Sequence, residues 1–307
     1  MQRLLGWALL SLLILNFAAC NKSDKQIGTK TIGVSLLTRA HQFYKDLEEG
    51  LVASAQQQGF KLNVVTGEWD IGRQISQIED FVTQRVDAII VCPVDSRGIG
   101  KGIKAANAAG IPVFTADIAA LEGEVVCHIA SDNIAGGKLA GEYLAKLLNG
   151  KGQVAIINQP IVTSTLDRVQ GFRDAIAAYP EIEIVKDVNG DGVRDRAMQA
   201  AADVLQAQPN LNAIFAINDD SALGALDAVE DFNRNNVIIV GYDATPEARD
   251  AILHDRALKA DVVQYPRQIG EQTIAMIAQH FRGEKTPAVL PVAVGIVDKT
   301  SLQEAKQ

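Results

Sequence analysis

The stretch AIFAINDDSALGALDAVEDFNRNNVIIVGYD, residues 213–243, contains one complete strand–helix–strand unit. Two apolar runs, AIFAIN and VIIVGYD, flank the segment SALGALDAVEDF, in which apolar residues recur at helical spacing. Strands that are apolar along their whole length are buried on both faces, which is typical of parallel sheets covered by helices. The stretch therefore predicts a parallel βα unit and sets the fold class of the chain.

The same alternation extends outward from this unit in both directions. An upstream block alternates the strands TIGVSLL, KLNVVT, DAIIVCP, PVFTAD and EVVCHIAS with helical segments, and a second block runs from NIAGGKLAGEYLAKLLN to LKADVVQ. Two successive blocks without a long Ser/Pro linker predict an α/β fold with two doubly wound parallel-sheet lobes.

The expected lobe boundaries follow from where the chain would cross between the two sheets. We expect three crossings that act as a hinge, near Ser131–Asp132, Val263–Gln264 and Pro291–Gly295. The N-terminal lobe is then residues 30–131 plus 264–291, and the C-terminal lobe is residues 132–263 plus 292–307.

The segment RLLGWALLSLLILNFAAC, residues 3–20, has the pattern of an export signal. An Arg precedes an apolar run that is too short for a comfortable membrane span and closes on small residues before Cys20. We predict a signal peptide over residues 1–19, lipid attachment at Cys20 and a polar tether over residues 20–29. Phe17 stands where lipoprotein signals usually have Leu, so plain cleavage near Ala19 is the alternative.

Composition excludes some partners. The chain has 29 Lys and Arg against 37 Asp and Glu and no basic stripe, which argues against nucleic acid. Without a second long apolar segment, we expect membrane contact only through the lipid.

Cys92 and Cys127 lie in apolar strand-like runs, so we expect buried free thiols, with a disulfide as the alternative.

Polar and aromatic residues follow almost every predicted strand. Since ligands bind beyond the carboxyl ends of strands in such sheets, these residues would meet at one cleft. Carboxylates accept hydrogen bonds from hydroxyls, Arg donates in a fork, and aromatic faces cover C–H groups, so the set fits a polyhydroxyl ligand. Its members are Arg39, His41, Phe43, Tyr44, Asp117, Asp167, Arg168, Asn218, Asp219, Asp220, Tyr242, Asp243 and Gln264.

Each of these residues also has a purely structural interpretation. Asp219 and Asp220 precede a helix and suit an N-cap. Arg168 could pair with an acidic residue on its own helix surface, and Asp117 could cap a turn. The argument for a ligand site therefore depends on the shared location of the whole set rather than on any single member.

Four segments carry a resemblance to a known family. EVVCHIASDNIAGGKLAGEYLA, FAINDDSALGALDAV, IVGYDATPEARDAI and LKADVVQYPRQIG resemble type I periplasmic sugar-binding proteins of the ribose-binding protein-like family, and the likeness runs from about Ile32 to Lys299. The resemblance implies sugar contacts at His41, Phe43, Tyr44, Asp117, Arg168, Asn218, Tyr242, Asp243 and Gln264. Arg39, Cys92, Ile118, Arg194 and Arg196 are further candidates.

Three positions depart from the pattern of the ribose binders in this family. His41 and Cys92 stand where those proteins have Asn, and Ile118 stands where they have Arg directly after the N-lobe acid. Because unpaired ribose hydroxyls would be costly in a dry site, we expect a different monosaccharide or a sugar alcohol.

The segment DVNGDGVRDRA, residues 187–197, has the spacing of a calcium loop at Asp187, Asn189 and Asp191. Its twelfth position is Met198 instead of the bidentate acid. We therefore expect a lip of the sugar cleft that uses Arg194 or Arg196, with a weak calcium site as the alternative and no other metal or cofactor.

The sequence thus predicts a substrate-binding lipoprotein for an ABC sugar importer, a monomer whose partners are a sugar, the permease and its ATPase. A sugar-sensing receptor subunit for chemotaxis or signalling would have the same sequence. A transcription regulator is disfavoured by the leader. An enzyme is least expected, since GxSxG, HExxH and P-loop motifs are absent from the sequence.

Overall fold

The structure is a computed structural model that describes residues 29–305, so the leader and Cys20 lie outside the described residues. Its strands are β1 (Thr31–Leu36), β2 (Lys61–Thr66), β3 (Ala88–Val91), β4 (Val113–Ala116), β5 (Cys127–Ser131), β6 (Lys151–Asn158), β7 (Glu181–Asn189), β8 (Leu211–Ala216), β9 (Ile238–Asp243), β10 (Leu258–Val263), β11 (Val289–Val292) and β12 (Gly295–Asp298).

The helices alternate with these strands through most of the chain. They are α1 (Gln42–Gln58), α2 (Ile71–Gln84), α3 (Gly100–Ala108), α4 (Asn133–Leu147), α5 (Thr163–Ile176), α6 (Arg194–Ala207), α7 (Asp219–Asp231), α8 (Pro246–Leu253), α9 (Pro266–Phe281) and α10 (Lys299–Glu304). Among the described residues, no helix is both long and apolar enough to cross a bilayer.

Two six-stranded sheets form the centres of two lobes. The first has the order β11-β5-β4-β3-β1-β2, and the second has the order β12-β10-β9-β8-β6-β7. The pairs within β1 to β10, and the pair of β11 with β5, are parallel, whereas β12 runs antiparallel to β10. The predicted pair of doubly wound α/β lobes is confirmed, with an antiparallel edge strand that the sequence pattern did not indicate.

Burial explains the strand composition. Every residue of β3 and of β4 is buried, because helices cover both faces of the sheet. The thiols of Cys92 and Cys127 are free and buried within the first lobe. The outermost strands are less protected, and β7 has several exposed residues.

The chain crosses between the sheets three times, after β5, after β10 and between β11 and β12. The crossings lie at residue 132, at residues 264–265 and at residues 293–294. Helix α9 packs on α1 in the first lobe, and α4 packs on α5 in the second. The first sheet extends to Val292, one residue beyond the lobe boundary expected from the sequence.

Candidate functional site

One cavity lies between the two lobes, where the carboxyl ends of both sheets meet. Its internal volume is about 40 Å³, which is well below the usual range for ligand sites. We call it the first cavity. Its lining residues are Leu37, His41, Phe43, Tyr44, Trp69, Asp117, Gln159, Val162, Ser164, Thr165, Arg168, Asn218, Asp243 and Gln264.

Two acids occupy matching positions in the two lobes. Asp117 directly follows β4, and Asp243 is the last residue of β9. Both have a positive φ, 67° for Asp117 and 117° for Asp243, in the region that L-residues rarely adopt. Backbone held in such a region costs roughly 1–3 kcal/mol and is often found at ligand sites, so each lobe holds its acid at the cavity by a strained turn.

Asp117 is the acid of the first-lobe wall. It is buried, and the hydroxyl of Tyr44 donates to its Oδ2 over 2.7 Å. Burial raises the pKa of Asp117 to about 6, while the positive charge of Arg168 acts in the opposite direction. The carboxyl group therefore changes its charge close to neutral pH in the unliganded site.

Asp243 is more completely hydrogen-bonded than Asp117. Gln264 Nε2 donates to its Oδ1 over 2.6 Å, and the backbone N–H of Asp219 donates to its Oδ2 over 3.4 Å. Arg168 Nη1 lies 3.8 Å from Oδ1. Burial raises the pKa of Asp243, and Arg168 opposes that shift. The second-lobe acid is thus fixed in place by neighbours from three elements.

Arg168 is the buried cation of the first cavity, and its orientation is set by groups of the second lobe. Its Nε donates to Asn133 Oδ1 over 2.9 Å, and its Nη1 donates to the carbonyl of Ile217 over 2.6 Å. The guanidinium lies 3.9 Å from the ring centroid of Tyr242, a cation–π contact. These contacts, rather than an acid on its own helix, determine where Arg168 points.

Close packing of α4 on α5 makes this orientation possible. A Cβ at Gly137 would collide with the carbonyl oxygen of Arg168, and one at Gly171 would collide with that of Ile134. The two helices therefore approach backbone to backbone, which brings the first turns of α5 and Arg168 to the cavity.

Aromatic rings line much of the first-lobe wall. The rings of His41 and Tyr44 stack with centroids 6.2 Å apart, and Trp69 meets His41 edge-on at 5.2 Å. Phe43 meets Tyr44 edge-on at 5.2 Å. Such faces suit the C–H surface of a sugar or polyol. His41 also lies 3.2 Å from Asp220 Oδ2, a contact between the two lobes.

One amide side chain at the cavity, that of Asn218, is hydrogen-bonded through both its oxygen and its nitrogen. Asn218 caps α7 by accepting from the N–H of Ser221, and its Nδ2 donates to the carbonyl of Gly192. The expected cap of α7 by Asp219 or Asp220 is therefore wrong, because the preceding Asn already performs it.

Two other amides have an atom without a protein partner. Gln159 Nε2 and Gln264 Oε1 are buried and have no hydrogen-bond partner among residues 29–305. Both side chains line the first cavity. Because buried polar groups are nearly always paired, one unpaired donor and one unpaired acceptor at a cavity indicate a ligand that supplies both.

Behind Asp243 the second lobe contains further buried acids. Asp219 accepts from the N–H of Thr245 over 2.6 Å, and burial raises its pKa to about 7. Asp261 on β10 is fully buried, and burial followed by the charge of Asp219 raises its pKa well above the usual value. Asp261 therefore keeps its proton to a higher pH than an exposed Asp does.

The structure brings most of the sequence-predicted contacts together. Eight line the first cavity: His41, Phe43, Tyr44, Asp117, Arg168, Asn218, Asp243 and Gln264. Tyr242 does not line it, and that prediction needs correction. Its hydroxyl packs against α4 at Gly136, where a Cβ would collide with it, and Arg168 lies between its ring and the cavity.

Cys92 and Ile118 also lie outside the first cavity. Both are buried in the apolar core of the first lobe, at 0% and 2% exposure. The side chains directly after β3 and after Asp117 therefore contribute to core packing, although both positions are at strand ends.

Two of the arginines that the sequence offered as candidates are engaged elsewhere. Arg39 forms a bidentate pair with Glu48 on α1. Arg194 pairs with Asp227 on α7 and with Glu247 on α8. Neither lines the first cavity, because nearby acids hold each guanidinium away from it.

The segment with calcium-like spacing does not converge on a point. Asp187 lies in β7 and pairs with Arg173 over 2.6 Å, while Asp191 pairs with Arg196. Among residues 29–305 no cluster of His, Cys or acidic residues is arranged to hold a metal ion. Arg196 is also outside the first cavity, and the loop reaches the site through Gly192, which contacts Gln159 and Asn218.

Sequence reasoning missed four polar or aromatic lining residues: Trp69, Gln159, Ser164 and Thr165. Trp69 and Gln159 follow β2 and β6, so the strand-end rule that found the other contacts applies to them as well. Ser164 and Thr165 open α5, where Thr165 Oγ1 donates to the carbonyl of Val162, and composition offers no signal for them.

Comparisons with known proteins agree with this architecture. The periplasmic binding protein domain family matches residues 32–285. The chain is 34% identical to the ribose import binding protein of Escherichia coli (strain K12) over 279 residues, which is 90% of this chain and 93% of that protein.

Solved structures of ABC transporter solute-binding proteins are also similar. One from Mycobacterium smegmatis with bound glycerol is 33% identical, with a TM-score of 0.85 over 90% of this chain and 96% of that one. One from Actinobacillus succinogenes with bound D-allose is 28% identical, with a TM-score of 0.83 over 90% and 100%.

Proposed function

Because the chain belongs to the periplasmic binding protein domain family, we propose that it is the substrate-binding component of an ABC-type sugar importer. Its ligand is a monosaccharide or sugar alcohol held in the first cavity. The observation that carries this proposal is the pairing of an aromatic wall with two buried acids and two unpaired amide atoms across the gap between the lobes. Ligand hydroxyls would donate to the acids and satisfy both amides.

The likeness to solved structures with bound glycerol and D-allose supports the ligand class. Ribose itself is not the ligand that we propose. The first-lobe wall offers His41 and the acid Asp117 without an arginine of its own among the described lining residues, so its hydrogen-bonding pattern differs from that expected of a ribose binder.

The ligand acts by closing the lobes on each other. We take residues 30–131 plus 264–292 as one lobe and residues 132–263 plus 293–305 as the other, joined by the three crossings. A ligand that touches both walls makes more contacts in the closed form, so it shifts the population toward that form. The permease with its ATPase then recognises the closed outline of a monomeric binding protein.

Hydrogen bonds join the two lobes across the cleft, and we propose that they stabilise the closed form. At one side of the cleft, Ser96 Oγ accepts from the N–H of Thr163 over 3.0 Å. Thr163 Oγ1 accepts from the N–H of Ala119 over 3.0 Å. On the other side, His41 meets Asp220. We call the contacts of Thr163 with Ser96 and Ala119 the interlobe latch.

Family membership implies an exported, periplasmic location. We further propose that lipid on Cys20 anchors the mature protein to the membrane. Replacement of Cys20 by Ser should move the protein from the membrane fraction to the soluble fraction of the cell envelope. Retention of the Cys20→Ser protein in membranes would refute lipid anchoring at this residue.

The experiment for the proposed function is a thermal-shift screen of residues 21–307 against pentoses, hexoses and polyols, followed by calorimetry. A ligand that binds only the folded state raises the melting temperature by mass action. Small-angle scattering should show a smaller radius of gyration with the bound ligand. Product analysis after incubation should show the ligand unchanged, whereas turnover would indicate an enzyme.

A deletion strain separates transport from sensing. If the chain serves an importer, the strain should lose uptake of the labelled ligand found in the screen. Normal uptake with lost chemotaxis or gene induction would instead indicate a receptor subunit.

A further inference from the structure

A second cavity adjoins the first on the hinge side. Its internal volume is about 170 Å³, and it shares Asp117 and Ser164 with the first cavity. The other polar residues that line it include His128, Ser131, Asp132 and Asp167. Asp117 and Ser164 thus lie on the wall that the two cavities have in common.

The second cavity is lined by negative charge. Asp117, Asp132 and Asp167 present carboxyl groups to it, and its described lining contains no Lys or Arg. His128 does not offset them, because burial lowers its pKa to about 4 and leaves the ring neutral at pH 7. Asp132 caps α4 through the N–H of Ala135, whereas no hydrogen bond from the described residues to the carboxylate of Asp167 is present.

An unpaired buried hydroxyl provides a separate indication of a ligand. Ser131 is 5% exposed, and its Oγ has no hydrogen-bond partner among residues 29–305. A hydroxyl oxygen accepts from a cation as readily as it accepts from a neutral donor. Ser131 thus adds an acceptor next to the three carboxyl groups.

We propose that the ligand is an amino-substituted sugar or polyol, with its hydroxyl-bearing frame in the first cavity and a protonated amine in the second. This inference rests on the proposed function and specifies the chemical class of the ligand. An ammonium group has three N–H donors and no acceptor, which matches a wall made of carboxylates and an unpaired hydroxyl. A neutral hydroxyl would add no positive charge beside the three carboxyl groups, for which Arg168, outside the second cavity, is the nearby cation that acts on Asp117 and Asp167.

The test compares matched sugars by calorimetry at low ionic strength. D-Glucosamine and D-galactosamine are the probes, D-glucose and D-galactose are their neutral parents, and N-acetyl-D-glucosamine controls for size. We expect at least one amine to bind roughly fivefold or more tightly than its parent, as for a favourable exposed ion pair. This preference should shrink at high salt, because salt screens exposed charges.

Substitution of Asp167 tests whether the preference for the amine over its neutral parent arises in the second cavity. Asp167→Asn should bring the ratio of amine to parent affinity close to one, whereas Asp174→Asn, an exposed residue of the same helix that lines neither cavity, should leave the ratio as in the wild type. Both positions are at the surface, so folding is retained and melting temperatures should match.

The outcomes separate this inference from the proposed function. Neutral sugars that bind as tightly as their amines, or a ratio that survives Asp167→Asn, would overturn the amine proposal and leave the sugar-binding function intact. If no sugar or polyol binds, either in the thermal-shift screen or in this calorimetric comparison, then the amine proposal and the proposed sugar-binding function are both refuted.

Discussion

The two walls of the first cavity differ in how firmly they are held before a ligand arrives. The second-lobe wall is polar, and its groups are bonded to their own lobe, as Arg168 is to Asn133 and to the carbonyl of Ile217. The first-lobe wall is mainly aromatic, and its acid has one side-chain donor, the hydroxyl of Tyr44. The second lobe therefore presents a preorganised hydrogen-bonding surface, and the first lobe supplies a cover for apolar faces.

The largest expected loss of ligand affinity comes from Asp243, the acid of the second-lobe wall. Asp243→Asn should weaken binding of the ligand found in the screen roughly 100-fold, since hydrogen bonds to a charged group are worth about 1.5–3 kcal/mol each. Asn tolerates positive φ, so the unliganded melting temperature should change little, whereas Ala would add backbone strain. Calorimetry gives the affinities.

The matched variant in the first lobe is Asp117→Asn. We expect a smaller loss, about tenfold, because the described partner of Asp117 is the Tyr44 hydroxyl, whereas Gln264, Asp219 and Arg168 surround Asp243, so the first-lobe acid is held less firmly for a ligand. A greater loss for Asp117→Asn than for Asp243→Asn would reverse the ranking of the two walls. Arg168→Ala is less informative, because it also removes contacts that hold the second lobe together.

The next effect concerns the aromatic cover. Trp69→Leu should weaken binding about tenfold, since the indole lines the first cavity and packs against His41. Phe232→Leu, at an exposed aromatic residue outside the first cavity, is the control and should bind normally. Unchanged affinity in Trp69→Leu would show that the first lobe does not cover the ligand at this position.

A smaller effect tests closure itself. Thr163→Val removes the hydroxyl of the interlobe latch but keeps the shape of the side chain. The closed form loses the bond from the N–H of Ala119 and the 3.5 Å contact with the Ser96 hydroxyl, and it keeps the bond from the backbone N–H of residue 163 to Ser96 Oγ. We expect affinity to fall about fivefold, mostly through faster ligand release measured by stopped flow. Thr83→Val, on the exposed face of α2, is the matched control. Equal release rates in both variants would mean that the latch does not stabilise closure.

The smallest expected effect is on stability. Burial raises the pKa of Asp261, so the unfolded chain ionises at this residue above the ordinary Asp pKa of about 3.9 while the folded chain does not. The residue therefore destabilises the fold progressively as pH rises from about 4 toward its folded pKa. Asp261→Asn should raise the melting temperature by a few degrees at pH 7, and by less at pH 4.

Asp255→Asn is the control for this effect. Lys259 lowers the pKa of this exposed acid, so its removal should bring no gain at pH 7. A gain for Asp261→Asn that is equal at pH 4 and pH 7, or a loss at pH 7, would contradict a raised pKa of Asp261.

The sequence pattern predicted the strands and helices up to Gln264 but no element beyond it. Helix α9 and strands β11 and β12 were missed for different reasons. Residues 266–281 do carry apolar residues at helical spacing, at Ile274, Ile277 and Phe281, so the pattern of α9 was present and was overlooked. Strands β11 and β12 have only four residues each, too few for a period to show. These elements are placed by contacts with distant segments, such as α9 with α1.

The strand-end rule located the site better than it located individual contacts. It placed Asp117, Asn218 and Asp243 at the first cavity correctly, because parallel strands deliver their last residues to one edge. It gave Tyr242 a role at the cavity that the structure does not support, since alternate residues of a strand point to opposite faces and Tyr242 packs against α4.

The sequence by itself determined the alternation of strand and helix, the division into two blocks and the chemistry at the strand ends, because those properties depend on residues close together in the chain. Only the tertiary structure decided which polar atoms remain unpaired, that the two acids face each other across one gap, and that Asp117 stands between two cavities. Those facts depend on how the two sheets are placed relative to each other by the three crossings. Local sequence patterns carry no information about that placement.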